Sequence, residues 1–327
     1  KRMFITGGVG AIHEDEKFGP DYFLPTDAYL ETCAAVGAGF FSQRMNQLTC
    51  NARYMDEVER VLYNNVLTGV SLSGDKYTYQ NPLNTDKPDR WEWHVCPCCP
   101  PMFLKIMAAM PSYIYAYQGD TVYVNLFIGS EVRVPVGKSN SVRLKQLTSY
   151  PWHGALSIQV NPDKASTFSM KVRIPGWAQG TENPYDLYQS NLKAPVKLKV
   201  NQEDVLLRIV DGYAEINREW KKGDHIELEL PMQPRLITAN KAVENLRGQV
   251  ALASGPIIYC FEDADNPELQ TFKLQAQTPL ELSHDSNLLN GVNIIKCQGD
   301  IPAKAIPYYA VANREESHSY KVWIPQK

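Results

Sequence analysis

Missing from this sequence is any run of about 18 apolar residues, so no segment reads as a membrane-spanning helix. Basic excess is missing too. Thirty-three Lys and Arg against 36 Asp and Glu leave a formal charge of −3, which gives no electrostatic case for nucleic acid or an anionic membrane as partner. No low-complexity segment and no internal repeat stands out. The six histidines lie scattered, and no Ser-His-Asp arrangement can be argued from them. Cysteine is scarce: seven residues, an odd number, fit a disulfide framework poorly and read mostly as reduced thiols. The stretch Lys1–Gly8 has no signal-peptide pattern and starts at once with a structured-looking turn, so the expectation is the C-terminal part of a longer protein. The compartment is then not legible, a bacterial periplasm or cytoplasm being the expectation.

What is present is 327 residues, 44% hydrophobic and 21% charged, the balance of a soluble globular chain with room for two or three domains. Eighteen tyrosines and six tryptophans suit sugar stacking and β-sheet cores alike. Gly7, Gly8 and Gly10 make a close-approach backbone, but without a Walker lysine or a strand–GxGxxG–helix context a phosphate loop is not supported. Helical periodicity covers about 27–48, with Asp27 able to cap, and about 51–68, stopped by Gly69. A short strand at 76–80 leads to a third helix that opens near Pro101 and closes near Gly119. From Thr121 the texture changes to alternation: Val122, Val124 and Leu126, then Leu156, Ile158 and Val160, then 168–174, 205–209, 213–216 and 226–230. Short strands with turn signals between them spell an antiparallel sandwich. Pro231 and Pro234 mark a boundary, and a second β-rich stretch follows, with strands near 250–261 and 320–324.

The chemistry concentrates at Cys96-Pro97-Cys98-Cys99-Pro100-Pro101, three thiols hemmed by three prolines. Proline fixes its own φ and lacks a donor, so the hexapeptide reads as irregular, and only such a turn would aim Cys98 and Cys99 at one point. Glu31-Thr32-Cys33 is its natural complement. One carboxylate and three thiolates make a credible tetrahedral zinc set, since soft thiolates favour zinc over magnesium or calcium. Residues two apart in a regular helix diverge, so Glu31 and Cys33 can share an ion only if the helix start is distorted. A catalytic thiol without metal and ordinary buried cysteines stay open beside zinc. Cys50, Cys260 and Cys297 read as buried small hydrophobes. Glu16 is singled out as a carboxylate, with Glu14 and Asp15 as rivals and a solvated loop acid as the plain alternative. Tyr79 could present a phenol beside the cysteine turn, or be core. His94 could be a ligand, or simply a neighbouring polar residue.

An ordered set of motifs carries a resemblance. Ile5-Thr6-Gly7-Gly8-Val9-Gly10, Glu16-Lys17-Phe18, Leu24-Pro25, the run from Tyr29 to Ala34, Glu59-Arg60-Val61-Leu62-Tyr63-Asn64, Tyr79-Gln80-Asn81-Pro82-Leu83 and Cys98-Cys99-Pro100-Pro101 together resemble glycoside hydrolase family 127, the β-L-arabinofuranosidases. Ile306-Pro307-Tyr308-Tyr309-Ala310 and Val322-Trp323-Ile324-Pro325 resemble its C-terminal end, so the likeness runs over essentially the whole chain. It implies a multidomain α plus β fold: the C-terminal part of an (α/α)6 barrel at 1–115, then β-sandwich domains at 116–233 and 234–327. It implies Zn2+ on Glu31, Cys33, Cys98 and Cys99, with Cys98 as nucleophile, Glu16 as general acid/base and Tyr79 at the substrate. The implied activity is a retaining exo-glycosidase on L-arabinofuranose-like sugars of plant cell-wall or glycoprotein glycans. The alternatives are the same machinery on another pectin sugar, acidic or branched, and a non-catalytic carbohydrate-binding protein with structural zinc. Three departures accompany it. The N-terminal half of the barrel is absent, so a companion chain is expected to complete the site, or the chain to be inactive alone. Met102 stands where the family usually has asparagine, and the loop between Glu16 and Glu31 is one residue shorter.

Overall fold

Three helices carry the first third of the chain in the computed structural model, which describes residues 1–299 and 301–327. Helix α1 (Thr32–Thr49) has Glu31, not Asp27, at its N-cap. The segment before it is held in a different backbone: the Leu30 N–H donates to Gly10 O at 2.9 Å, Leu30 takes a φ of +46°, and Ala28 and Leu30 are buried. Tertiary burial here overrides the helical periodicity, which is a weak prior by comparison. Helix α2 (Arg53–Val61) widens into a π-helical turn at Leu62–Val66 before ending at Gly69. Helix α3 (Cys99–Ala109) starts inside the proline-rich hexapeptide, contrary to the irregular reading of that stretch. The reason is positional, because the first helical turn needs no N–H from Pro100 or Pro101. Met110–Tyr113 tightens into a 3-10 turn and Tyr115–Gln118 is already a strand, so no helix reaches Gly119. The expected strand at 76–80 is only three isolated bridges, two at Tyr77 and one at Gln80.

Two sheets follow. One orders Ile209–Val210, Tyr213–Trp220, Ser166–Arg173, Thr121–Val124 and Tyr115–Gln118; the other has six strands running from Glu203–Asp204 to Ser130–Val136. Val122, Val124, Phe168, Met170 and Val172 of the first share one core with Val142, Leu144, Ile158, Val160 and Ile226 of the second. Fully burying each such side chain contributes about 1.5–3 kcal/mol. One ladder breaks the antiparallel expectation, since Thr121–Val124 runs parallel to Ser166–Arg173. Three strands of the opposite sheet lie between them in sequence, which gives the long crossover a parallel pair requires. Of the expected strand at 205–209 only Ile209 joins a ladder, in the strand Ile209–Val210.

A ten-stranded sheet closes the chain, and it draws on all three regions. Tyr188–Ser190 pairs with Arg235–Ala239, and Asn84–Thr85 pairs with Tyr320–Lys321. Its central strands are buried on both faces: Ala251, Ala253, Ile258 and Cys260 enter one core, Val250, Leu252, Ile257 and Tyr259 another. That explains their continuous apolar runs, where the preceding sheets alternate. Phe4, Ile5, Leu24, Leu30 and Leu83 pack into the first of these cores, so the N-terminal segment is anchored on the C-terminal sheet. Among the described residues no helix is long and apolar enough to cross a membrane.

Helix α2 is the joint between regions. Arg173 is fully buried and donates to Asp56 at 2.7 Å and to Glu59, which also accepts from Tyr150 at 2.8 Å and Trp177 at 3.3 Å. Arg60 donates to Ile5 O and Glu182 O, and Asn64 on the π-helical turn bonds Pro256 O and the Ile258 N–H. The motif from Glu59 to Asn64 therefore holds the regions together.

Candidate active site

Two helix N-termini face each other and supply four donors. Glu31 caps α1 with ψ at 137°, outside helical space, while Cys33 is the second residue of the helix. The turn at Leu30 and Glu31 is the distortion that lets side chains two apart converge. Cys98 stands at the N-cap of α3 and Cys99 opens that helix. His94 holds the approach: its Nδ1 accepts from the Cys96 N–H at 3.1 Å, and its ring stacks on Trp91 at 4.3 Å and lies 4.8 Å from Tyr79.

The donor atoms of Glu31, Cys33, Cys98 and Cys99 all lie within 4.8 Å of one another. Cys33 Sγ is 3.5 Å from Cys99 Sγ, Cys98 Sγ is 3.8 Å from Cys99 Sγ, and Glu31 Oε1 is 3.4 Å from Cys98 and 3.8 Å from Cys99. A tetrahedral ion with metal–sulfur bonds of about 2.3 Å sets its sulfurs about 3.8 Å apart, so these spacings fit the edges of such a polyhedron. Burial, reinforced by hydrogen bonding with Cys33, pushes the Cys98 thiol up to about 12. Cys33 is raised as well, first by its hydrogen bond to Cys99 and then by burial. A buried thiol in that state is a proton carrier, and a cation in its place turns it into a thiolate. Both helix N-termini also favour the negative charge. The cluster can hold a metal ion.

Glu16 stands beside it. The loop Ile12–Lys17 is closed by a backbone bond of 3.0 Å, and Glu16 accepts from Tyr29 at 2.7 Å and Tyr79 at 3.3 Å. All three acids are exposed, and what separates Glu16 is its partners: it alone meets the two phenols, whereas Asp15 pairs with Lys17 at 2.8 Å. Burial raises the Tyr79 phenol, and its ring packs with Cys98 and Cys99 while its hydroxyl meets Glu16, so Tyr79 lies between the carboxylate and the thiols. Tyr29 is the residue that periodicity misreads. It counts as a helical stripe position in the sequence, whereas it precedes α1 and meets Glu16 with its hydroxyl. No spacing rule would have found it.

The other thiols fall away. Cys96 is exposed and outside the cluster, and Cys260 and Cys297 are buried as expected. Cys50 corrects its reading as a core residue: it is half-buried, at the left-handed C-cap of α1.

Residues 1–112 match the family described as "Beta-L-arabinofuranosidase, GH127 catalytic domain", 121–232 match the GH127 middle domain, and 234–325 match the glycoside hydrolase family 127 C-terminal domain. The chain belongs to glycoside hydrolase family 127. A non-reducing end β-L-arabinofuranosidase of Bifidobacterium longum subsp. longum is 31% identical over 366 aligned residues, spanning 96% of this chain and 52% of that protein. A solved GH127 β-arabinofuranosidase superposes with a TM-score of 0.94 at 36% identity, covering 100% of this chain and 54% of its own. Another, the GH127 β-L-arabinofuranosidase from Geobacillus stearothermophilus T6, gives 0.92 at 35% identity, covering 100% and 55%. The chain thus spans about half the length of these relatives. Its GH127 membership rests on all three regions, not on the cysteine motif alone.

Proposed function

We propose that this GH127 chain carries the catalytic centre of a retaining exo-glycosidase that releases L-arabinofuranose-like sugars, with Cys98 as nucleophile and Glu16 as general acid/base. The observation that carries this is the joined constellation: three thiols and Glu31 converging to within 4.8 Å, with Glu16 linked to them through Tyr79. Its neighbours in sequence and structure, named as β-L-arabinofuranosidases, supply the substrate class. Glu31, Cys33, Cys98 and Cys99 would hold zinc, which when bound supplies the positive charge that keeps the thiols deprotonated.

Most retaining glycosidases use two carboxylates about 5–5.5 Å apart, one of which attacks the sugar. Here the Cys98 sulfur takes that part. It bonds to the anomeric carbon while the carbon–oxygen bond breaks and Glu16 gives its proton to the departing oxygen. Glu16 then takes a proton from water, whose oxygen bonds to the same carbon as the carbon–sulfur bond breaks. Two displacements retain the configuration. Tyr79, in contact with both groups, is positioned to bind the sugar.

On this reading α1–α3 are part of an (α/α)6 barrel over 1–115, and 116–233 and 234–327 are the β-sandwich domains. The preceding half of the barrel, within the same protein or as a separate chain, completes the pocket. The deciding test is metal analysis with turnover of an aryl β-L-arabinofuranoside by wild type, Cys98→Ser and Glu16→Gln. About one zinc per chain and losses of at least ~100-fold in both variants are expected. Full activity in both would overturn the mechanism.

A further inference from the structure

The two phenols beside Glu16 reach the same oxygen. Tyr29 donates to Oε1 at 2.7 Å and Tyr79 to Oε1 at 3.3 Å. Among the described residues no hydrogen bond reaches Oε2. Delivery of that carboxylate is built into the backbone. Asp15 and Glu16 are consecutive non-glycine residues at positive φ, 56° and 54°, a region that L-residues avoid and that persists at sites where the surroundings over-determine it. The Ile12–Lys17 bridge closes the loop on either side of them. Tyr29 is equally fixed. It is 8% exposed, its neighbour Leu30 is pinned to Gly10, and its ring meets His13 edge-on at 5.3 Å and Tyr79 edge-on at 6.0 Å.

A carboxylic acid has one protonated oxygen and one acceptor oxygen, and a phenol hydroxyl brings a single hydrogen to its acceptor. An oxygen that already receives two phenol hydrogens has no room to carry one of its own. We infer that Tyr29 is a positioning residue for Glu16, holding Oε1 as a permanent acceptor so that Oε2 alone carries the proton that moves. This rests on the reading of Glu16 as general acid/base and assigns that role to one atom. In the first displacement the Oε2 proton passes to the glycosidic oxygen as the Cys98 sulfur–carbon bond forms and the carbon–oxygen bond breaks. In the second, Oε2 takes a proton from the water whose oxygen replaces sulfur. Oε1 and its two donors are unchanged throughout, so the carboxylate need not rotate between the steps.

The test is Tyr29→Phe, which deletes one hydroxyl and keeps the ring contacts, assayed on β-L-arabinofuranosides with leaving groups from dinitrophenol to a sugar alcohol. The parameter is kcat/KM, because it reports the first displacement. A dinitrophenolate leaves without protonation, so a loss below about twofold is expected there. A sugar alcohol needs the proton, and a loss of about tenfold or more is expected, in kcat/KM with KM little changed. An equal loss across the series is what a merely structural tyrosine gives, and it overturns the inference, as does no loss at all. Glu16→Gln run alongside separates the two layers: if it hydrolyses the sugar-alcohol glycoside at the wild-type rate, the acid/base reading itself has failed. A crystal structure of Tyr29→Phe reads the same point without turnover. The Glu16 carboxylate is expected to leave its wild-type position, and a carboxylate still in place on Tyr79 alone overturns the positioning role.

Discussion

Two buried polar clusters in this protein lie at opposite limits of self-sufficiency. Around Arg173, Asp56 and Glu59 supply the negative charge, Tyr150 and Trp177 fill remaining acceptor sites, and Asn125 O takes the guanidinium Nε–H. Every charge there meets a protein partner. Around Cys98 the opposite holds: Glu31, Cys33, Cys98 and Cys99 are all acceptors or proton carriers, and no cationic side chain pairs with Glu31 among the described residues. Buried ionic groups are tolerated when paired, so the first cluster is finished by folding, while the second offers the donor set that an ion would complete. The sequence spacing of the two motifs does not separate them. Their chemistry in three dimensions does.

Breaking the finished cluster is expected to have the largest effect on stability. Arg173→Met leaves Glu59 buried and Asp56 partly buried without a counter-charge, and removing one partner of such a pair typically costs about 3–5 kcal/mol. Urea unfolding measures it. A loss under about 1 kcal/mol would mean that water reaches the site and that the contrast is overdrawn. Removing the ion from the unfinished cluster should cost somewhat less. An ion at a hundred times its dissociation constant stabilises the folded state by about 2.7 kcal/mol, and a chelator withdraws that amount. The melting temperature of the zinc-loaded protein should fall on chelation and recover on adding zinc back, while Cys33→Ala should be insensitive to both.

A third buried pair sharpens the comparison through pH. Burial alone would raise the Glu182 carboxyl, but the charge and hydrogen bonds of Arg235, at 2.6 and 3.0 Å, together with Arg60, hold it below the usual carboxylate range. The folded state then binds fewer protons than the unfolded one. Its contribution is present above the unfolded value of about 4.3 and is lost as pH falls through the depressed folded value. Glu182→Gln keeps hydrogen-bonding atoms but not the charge. It should lower stability at neutral pH and flatten the acid-side decline. Parallel curves for variant and wild type would remove Glu182 from the acid response.

Legibility in the sequence followed the scale of the interaction. The cluster could be named because seven thiols are few enough to be weighed one by one and Glu31 stands two residues from one of them in a motif the family resemblance carries; the strands near Leu156–Val160 could be named because one buried face writes a period of two. The helical start at Thr32 was not legible, since a helical stripe and a buried extended segment both place apolar residues at Tyr29 and Leu30. What decides between them is the bond from Leu30 to Gly10 and the core shared with Leu83 and Trp323, contacts remote in sequence. The parallel ladder at Thr121–Val124 was hidden for the same reason, because alternation fixes which face is buried and not which strand lies alongside. Tyr29 shows the cost of that blindness at the site: its hydroxyl was the second donor to Glu16, and periodicity assigned it to packing.

The smallest effect tests whether the thiols outside the cluster are separate from it. Cys50 sits at the left-handed end of α1 with φ at 50°, its N–H donating to Asn46 O at 2.7 Å and its sulfur 3.9 Å from the Gln118 amide oxygen. A sulfur–oxygen contact of that length contributes little, and the cap is made by the backbone, which serine reproduces. Cys50→Ser should therefore shift stability by no more than about 0.5 kcal/mol and leave the metal content at that of the wild type. Cys98→Ser, the same chemical change in the same chain, should lower the metal content. If both variants retained the same metal, the ion would lie elsewhere, and the four-donor cluster would be a packing arrangement as complete in itself as the one around Arg173.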